Sequence, residues 1–143
     1  MAIYISQSEA LVTQAIETSH LNRGLTGADW LSEPKNVPVV FEDEGVILFD
    51  YLEDGIYEAH LLLKTRGRLA KSQGEQALKV IFEEKNAYFV YGITPDDIPA
   101  AKLYVRRLGF KSLGPLAHPE GPCEKFILGR NEWRRRQSNE LSE

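Results

Sequence analysis

The sequence predicts a single α+β domain that has a mixed, mostly antiparallel sheet flanked by helices and a central β-α-β crossover. Three strand-like segments follow one another between Val39 and Lys64 with only short turns between them, which is typical of an antiparallel meander. An apolar stripe at helical spacing then runs from Ala70 to Phe82. A short apolar strand from Ala87 to Tyr91 follows. Strand, helix and strand in this order predict a right-handed crossover that joins two parallel strands.

Length and composition restrict the class of protein. The chain has 143 residues, 43% of them hydrophobic and 27% charged, which fits one globular domain with a real core. A net charge of -4 argues against general binding to nucleic acid. The single cysteine, Cys123, excludes an internal disulfide and fits a reducing compartment. No apolar run has the length of a membrane span and no signal peptide is recognisable, so we expect a cytoplasmic protein without membrane contact.

The N-terminal part is predicted to contain a strand, a helix and a loop before the meander. Residues 1–5 alternate weakly, and Ser6 to Glu9 has the spacing of a capping box for a helix that ends near residue 20. Glycines and prolines predict a loop over residues 22–38, with Trp30 and Leu31 turned inward. The strands of the meander are predicted over residues 39–42, 46–52 and 56–64, with turns at residues 43–45 and 53–55.

The C-terminal part is predicted to contain one helix and two strands after the crossover. Residues 92–97 are expected to form a turn, Asp96 or Asp97 to cap the helix, and Pro99 to occupy its first position. Gly109 should end that helix. The last strands are predicted over residues 110–113 and 124–128, with a loop at 114–122. We expect the domain to span residues 1–130 and residues 131–143 to form a polar tail.

The stretch from Tyr57 to Gly74 carries the residue types of a binding site. Strand alternation places Glu58, His60 and Leu62 on one face. Several basic residues and a glycine then stand where a helix begins, namely Lys64, Arg66, Gly67, Arg68 and Lys71. A helix N-terminus presents unpaired N–H groups and a partial positive charge, so this loop could hold a phosphorylated ligand. The alternative is an ordinary basic surface loop.

Three places in residues 57–114 resemble the core of the GNAT N-acetyltransferase family. The first is Arg66-Gly67-Arg68 at the start of a helix, and the second is the segment Tyr91–Pro95 after the parallel strand. The third is the helix from Ala101 that ends in Leu108-Gly109-Phe110. The reduced glycine motif is most similar to that of small GNAT-like proteins encoded by tailed bacteriophages, some of which are associated with head assembly or DNA ejection.

The resemblance implies a site for acetyl-CoA between two strands that separate beside the crossover. It implies that the pyrophosphate is held by Arg66, Gly67, Arg68, Leu69, Ala70, Lys71 and Ser72. The pantetheine arm would pair with the backbone of Leu61, Leu62 and Leu63. Glu58 corresponds to a position where the family often has the base for the acceptor amine, and His60 on the same face is the other candidate. The three histidines and Cys123 lack the spacing of metal ligands, so no metal is predicted.

The sequence also departs from the family at positions that matter for the reaction. Leu69 and Lys71 stand where the family's loop has small residues, although Arg68 and Lys71 add positive charge there. The tyrosine that often protonates the leaving thiolate corresponds to Val105, and Tyr104 lies about 100° away around the helix. We therefore expect Tyr104 to be a packing residue.

Two functions follow, and the sequence does not decide between them. The first is a phage-encoded, acetyl-CoA-dependent N-acetyltransferase that acts on a small-molecule or protein amine. The second is a protein without catalytic activity that uses the fold to bind virion or assembly proteins in phage head assembly or DNA ejection. A generic α/β domain with a basic surface loop is a third, weaker alternative. In the family, the exposed edge of the last strands is a usual surface for a homodimer.

Overall fold

A seven-stranded mixed sheet runs through the described part of the chain, in the order β1-β2-β3-β4-β5-β7-β6. The computed structural model describes residues 3–5, 13, 27–41, 43–119 and 121–142. The strands are β1 (Ile3–Ile5), β2 (Val37–Phe41), β3 (Gly45–Glu53), β4 (Ile56–Leu63), β5 (Phe89–Pro95), β6 (Lys111–His118) and β7 (Gly121–Gly129). Among the neighbouring strands, β4 and β5 form a parallel pair, and the other five pairs are antiparallel. The predicted fold class is thus confirmed.

Four α-helices lie in the described residues: α1 (Gly27–Leu31), α2 (Gly67–Lys79), α3 (Pro99–Arg107) and α4 (Arg130–Ser142). Helix α2 continues as one π-helical turn over Val80–Glu84. Of the helix predicted from residue 6 to about residue 20, only Thr13 is among the described residues, and it is helical. No described helix is long and apolar enough to cross a membrane.

The main core lies between one face of the sheet and helices α2, α3 and α4. Strand alternation in β4 turns Tyr57 and Ala59 towards this core. Their neighbours across the sheet and on the helices include Val90, Phe126, Leu128, Leu78, Ile81, Phe82, Val105, Leu108 and Trp133. A smaller cluster on the other face contains Trp30, Val40, Val46 and Leu48. Trp30 is buried, as the sequence predicts, although the loop around it contains the short helix α1.

Two segments predicted as a turn and a loop are largely strands, so those predictions are wrong over residues 92–95 and 114–118, whereas residues 96–97 form a turn as predicted. β5 continues through Gly92 to Pro95 because β7 supplies an antiparallel partner as far as Cys123. β6 likewise continues through residues 114–118, where the sequence predicts a loop. Pro115 can be accommodated there because β6 is an edge strand, which is where prolines are usually found in sheets. Glycine and proline residues in these segments predicted the ends of strands, but pairing with β7 keeps both segments extended.

The prediction of a polar tail after residue 130 is also wrong, because these residues form helix α4. Trp133 is buried and stacks on Phe82, with ring centroids 5.4 Å apart. The Gln137 amide donates to the Glu75 carboxylate at 3.2 Å and so joins α4 to α2. One buried aromatic residue on an otherwise polar helix gives no amphipathic periodicity, which is why the sequence did not indicate a helix.

The predicted cap of α3 is corrected as well. The N-cap of α3 is Ile98, which makes no side-chain capping hydrogen bond, and Pro99 follows at the first position as predicted. The Asp96 carboxylate instead accepts a hydrogen bond from the Lys102 ammonium at 2.6 Å. Lys102 also lies 3.2 Å from Glu124 of β7, so this cluster fastens α3 to the sheet.

Candidate functional site

The parallel strands β4 and β5 separate part-way along their length. They pair over four positions, from Ile56 with Phe89 to Ala59 with Gly92. Beyond that point β4 continues to Leu63 beside β3, and β5 continues to Pro95 beside β7. No pairing between β4 and β5 remains in this region of the described sheet. The sheet therefore opens into a cleft between the two strands.

The walls of this cleft are apolar. Its lining comes from three strands, the two helices above them and the residue that precedes β6, namely Ile47, Phe49, Ala59, Leu61, Gly74, Ala77, Leu78, Gly92, Val105, Leu108 and Phe110. Ala59 and Gly92 form the last pair before the strands separate, so the closed end of the cleft is made by small residues. Leu61 is exposed, whereas Phe49 and Leu78 are buried, so an extended chain in the cleft would contact mainly aliphatic and small side chains.

Helix α2 begins close to the end of β4, four residues after Leu63. Arg66 is extended and is the N-cap, and no side chain caps the helix. Gly67 has a φ of +62°, a conformation that favours glycine, and a Cβ at this position would meet no atom within 4 Å. The first turn of α2 is thus open to a ligand that accepts hydrogen bonds.

The residues predicted to hold a phosphorylated ligand differ in exposure, and two of them contact other side chains of α2. Arg66, Gly67, Arg68, Leu69 and Ser72 are exposed, whereas Ala70 is buried. The Lys71 ammonium lies 3.7 Å from the Glu75 carboxylate, one turn further along α2. Ser72 accepts a hydrogen bond from the Gln76 amide at 3.2 Å.

The three leucines predicted to contact the ligand through their backbone have different side-chain environments. Leu61 is exposed and lines the cleft. Leu62 packs against the smaller cluster on the opposite face, and Leu63 packs against the main core. The three side chains thus hold this end of β4 in place from both faces, while the edge that faces β5 lies along the cleft.

On the other face of the sheet, Glu58 and His60 lie next to each other, as strand alternation predicts. The Glu58 Oε2 atom is 3.9 Å from His60 Nε2, and the side chains are 16% and 3% exposed, respectively. Asp50 of β3 stands directly opposite Glu58, and one donor atom of each of the three residues lies within 4.8 Å of the others. Such a group can take up a proton or bind a cation. The absence of a metal stays a prediction.

Asp50 was missed in the sequence analysis, although a signal for it exists. The Asp54-Gly55 turn fixes the register of the β3–β4 hairpin, and this register pairs Asp50 with Glu58. Counting residues symmetrically from the turn would not give this pair, because a β-bulge shifts the register between Tyr51 and Glu53. A search for polar residues opposite Glu58 would therefore have had to allow one extra residue near the turn.

Tyr104 bonds to the backbone of α2. Its hydroxyl donates to the Ala70 carbonyl oxygen at 2.5 Å, and burial raises the pKa of Tyr104, with Glu75 adding to the effect. Val105, at the position of the family's tyrosine, is buried and lines the cleft. A hydroxyl held in this way stabilises the contact between α2 and α3, which agrees with the packing role expected for Tyr104.

Comparison with known proteins gives matches for the structure but not for the sequence. No protein-family model matches the sequence, and no curated protein matches it. Solved structures are nevertheless similar over nearly the whole chain. A mutant of spermidine N-acetyltransferase SpeG from Vibrio cholerae has a TM-score of 0.76 at 12% identity, covering 96% of this chain and 99% of that one.

Two other acetyltransferases are similar in the same way. For aminoglycoside acetyltransferase AAC(6')-Ib in complex with coenzyme A and kanamycin, the TM-score is 0.66 at 14% identity, with 94% of this chain and 98% of that one covered. For a GNAT-family acetyltransferase from Bacillus anthracis, it is 0.60 at 15% identity, with 92% and 96% covered. The chain has the GNAT fold. The predicted likeness to phage-encoded members in particular stays a prediction.

The GNAT fold gives the cleft an interpretation that its geometry alone does not. The resemblance found in the sequence implies that two strands beside the crossover separate, and β4 and β5 do so after Ala59 and Gly92. The open helix start at Gly67 lies four residues after the end of β4. The assignments of individual ligand-binding and proton-accepting residues stay predictions.

Proposed function

We propose that this chain is an acetyl-CoA-dependent N-acetyltransferase. The proposal rests above all on the separation of β4 from β5 after Ala59 and Gly92, which opens an apolar cleft beside the start of α2. The solved structures with the same fold include acetyltransferases that are named for spermidine and for aminoglycosides, and one of these structures contains coenzyme A. An amine is thus the class of acceptor to test.

The residues at the cleft fit acetyl-CoA, which would supply an acetyl group activated as a thioester. The space beside Gly67 is open, and Arg66 and Arg68 are exposed next to it, so they would hold the pyrophosphate together with the N–H groups up to Ser72. The backbone of residues 61–63 would pair with the pantetheine arm along the cleft. Leu69 and Lys71 keep their side chains on the helix surface, where Lys71 meets Glu75.

The acceptor amine must lose a proton before it can attack a thioester, because a protonated amine has no free electron pair. We infer that Glu58 takes this proton, directly or through water, with the neighbouring His60 as the other candidate. Backbone N–H groups at the cleft would polarise the reacting carbonyl. The acceptor would be a small-molecule or protein amine, and the chain would act in the cytoplasm, where acetyl-CoA is available.

Two observations favour a second function, in which the fold binds a protein and catalyses nothing. The position of the usual acidic tyrosine is the buried Val105, and the Tyr104 hydroxyl is engaged with Ala70. Leu69 and Lys71 also replace small residues in the loop. In this alternative the chain is a phage protein of head assembly or DNA ejection, and its partners are virion or assembly proteins.

Calorimetric titration with acetyl-CoA separates these functions. We expect binding in the micromolar range, weakened at least about tenfold in the double variant Arg66→Glu, Arg68→Glu. The matched control is Lys79→Glu, Arg134→Glu, which changes the charge equally at two exposed residues away from the start of α2. Equal loss in both variants would mean a general charge effect. No binding up to about 1 mM acetyl-CoA would reject the enzyme and direct the search to a protein partner.

A further inference from the structure

We propose that a second cavity, at the start of α4, binds a small aromatic anion. The cavity has a volume of about 440 Å³, and its lining includes Tyr88, Phe89, Lys111, Arg130, Glu132 and Arg135. Ligand sites commonly have volumes of about 300–1,000 Å³, so it is large enough for a small molecule. We call it the α4 cavity. This inference does not depend on the proposed acetyltransferase activity.

The α4 cavity is separate from the cleft. It lies where β5 begins and β7 ends, at Phe89 and Gly129, whereas the cleft begins at Gly92 and opens towards the other end of β5. From Phe89 to Gly92 the strand advances about 10 Å. None of the residues that line the α4 cavity also lines the cleft.

Two neighbouring aromatic rings provide the apolar part of the α4 cavity. Tyr88 is 56% exposed and Phe89 is 43% exposed, although each is large enough to be buried in a core. Phe89 lies on β5, and its ring edge contacts Gly129 of β7, where a Cβ would come within 3.2 Å of the ring. A flat ligand that stacks on the Phe89 ring would remove its surface from water.

The charge of the α4 cavity is opposite in sign to that of the whole chain. Three of its lining side chains are cationic (Lys111, Arg130 and Arg135) and one is a carboxylate (Glu132), which leaves a formal charge of +2. The chain as a whole has a net charge of -4. The Glu132 carboxylate lies 3.1 Å from the Arg135 guanidinium and 4.0 Å from the Lys111 ammonium, so the single carboxylate is shared between two of the three cations.

Arg130 is the third cation, and its geometry suits an anion. Its guanidinium carbon lies 4.5 Å from the centroid of the Tyr88 ring. Within the described part of the chain this guanidinium makes no hydrogen bond or ion pair, and its Nε has no partner. The Arg130 backbone N–H donates to the Tyr88 carbonyl at 2.9 Å, which fixes the two residues relative to each other. A stacked guanidinium keeps its plane and leaves N–H groups at its edge for a carboxylate or phosphate.

The position of Arg130 as the first residue of α4 adds to this preference. Helix α4 has 13 residues, and the N–H groups of its first turn carry a partial positive charge beside the α4 cavity. A ligand with one ring and one anionic group would place the ring on Phe89 and the anion at Arg130, because the Arg130 guanidinium already covers the Tyr88 ring. Ring and charge together define the chemical class, because an anion alone would leave the aromatic surface exposed.

Calorimetric titration with phenyl phosphate tests the proposal. Inorganic phosphate, cyclohexyl phosphate and phenol are the matched control ligands. We expect phenyl phosphate to bind at least about tenfold more tightly than each of the other three. Arg130→Gln should weaken binding by about tenfold or more, since a hydrogen bond to a charged group is lost. Arg134→Gln, at an exposed position of the same helix outside the α4 cavity, should leave affinity unchanged.

Two further ligands identify the chemical class of the bound molecule, and two further variants test the proposal in case Arg130→Gln does not fold. Benzoate and uridine monophosphate distinguish an aromatic carboxylate from a nucleotide. Phe89→Ser should weaken phenyl phosphate but not inorganic phosphate, and Arg130→Lys, which keeps the charge but loses the planar fork, should bind with intermediate affinity. Equal binding of phenyl and inorganic phosphate would overturn the proposal. So would binding that survives Arg130→Gln, or binding that is lost in the Arg66→Glu, Arg68→Glu variant.

Discussion

The Tyr104 hydroxyl donates a hydrogen bond of 2.5 Å to the carbonyl oxygen of Ala70, which joins α3 to the first turns of α2 across the roof of the cleft. Ala70 is itself buried, so the carbonyl oxygen has little access to water. The bond gives Tyr104 a structural role, although it lies next to Val105, the position at which the resembled family often has an acidic tyrosine. Loss of this bond should therefore lower the free energy of unfolding by a measurable amount.

We expect Tyr104→Phe to lower the free energy of unfolding by about 1–2 kcal/mol, because a part-buried hydrogen bond between α3 and α2 is lost. Acetyl-CoA affinity and the acetylation rate should change little. Urea unfolding and steady-state kinetics of the same preparation measure both quantities. A rate that falls by about a hundredfold while stability is unchanged would contradict this and identify Tyr104 as a general acid.

Stability should decline at alkaline pH. Burial raises the pKa of Tyr104 above its ordinary value of 10.0, and it also raises the pKa of Tyr57. The unfolded chain then releases these protons at a lower pH than the folded chain, so the stabilisation is complete below pH 10 and decreases above it. Urea midpoints between about pH 8 and pH 11 measure the decline. The slope should be smaller in Tyr104→Phe, and an equal slope would exclude Tyr104 as a cause.

Gly74 should not tolerate alanine, although alanine is the better helix former. A Cβ at Gly74 would overlap the Tyr104 hydroxyl and come within 2.9 Å of both Leu108 Cδ atoms. We expect Gly74→Ala to cost about 1–3 kcal/mol in the free energy of unfolding, since overpacking exceeds the gain of about 1 kcal/mol in helix propensity.

A double-mutant cycle with Tyr104→Phe gives this prediction its control. Removing the hydroxyl removes one of the overlapping atoms, so Gly74→Ala should cost less in the Tyr104→Phe background. Unfolding of the four proteins in urea measures the coupling. Additive effects would mean that the strain lies at Leu108 alone.

If the chain is an acetyltransferase, Glu58→Gln should reduce kcat/KM about a hundredfold or more, because the amine would lose its base. His60→Gln should reduce it less, since His60 is more deeply buried than Glu58. Asp50→Asn is the matched control, because it removes a carboxylate opposite Glu58 from the same face. The reaction of any amine that the wild-type protein acetylates serves as the assay. The reverse order of effects would assign the base to His60.

The sequence predicted those parts of the fold in which local and tertiary preferences agree. The Asp54-Gly55 turn, with alternating residues on either side, correctly predicted the β3–β4 hairpin. It could not predict the length of β5, because Gly92 and Pro95 favour a turn and only the partner strand β7 keeps them extended. Nor could it predict α4, which is held by contacts between residues far apart in the sequence, such as Trp133 with Phe82 and Gln137 with Glu75.

The same reasoning applies to the sites. Alternation within one strand correctly brought Glu58 and His60 together, since both residues lie on β4. The α4 cavity could not be predicted, because Tyr88 and Arg130 meet only where two non-adjacent segments of the chain come together. The cleft was expected only through the resemblance to the GNAT family, as no local signal in Ile93 or Thr94 shows that β5 has left β4.

The short ladder between β4 and β5 also bears on the order in which the molecule assembles. Strands β1 to β4 and strands β5 to β7 each form their own antiparallel half-sheet, and only four residue pairs join the halves. Closing that junction joins Ile56 to Phe89 across the whole of α2, so it costs more chain entropy than closing the β2–β3 and β3–β4 hairpins. We therefore expect the β2–β3–β4 meander to form before it pairs with β5, so that changes at Ala59 or Gly92 alter a late step of folding.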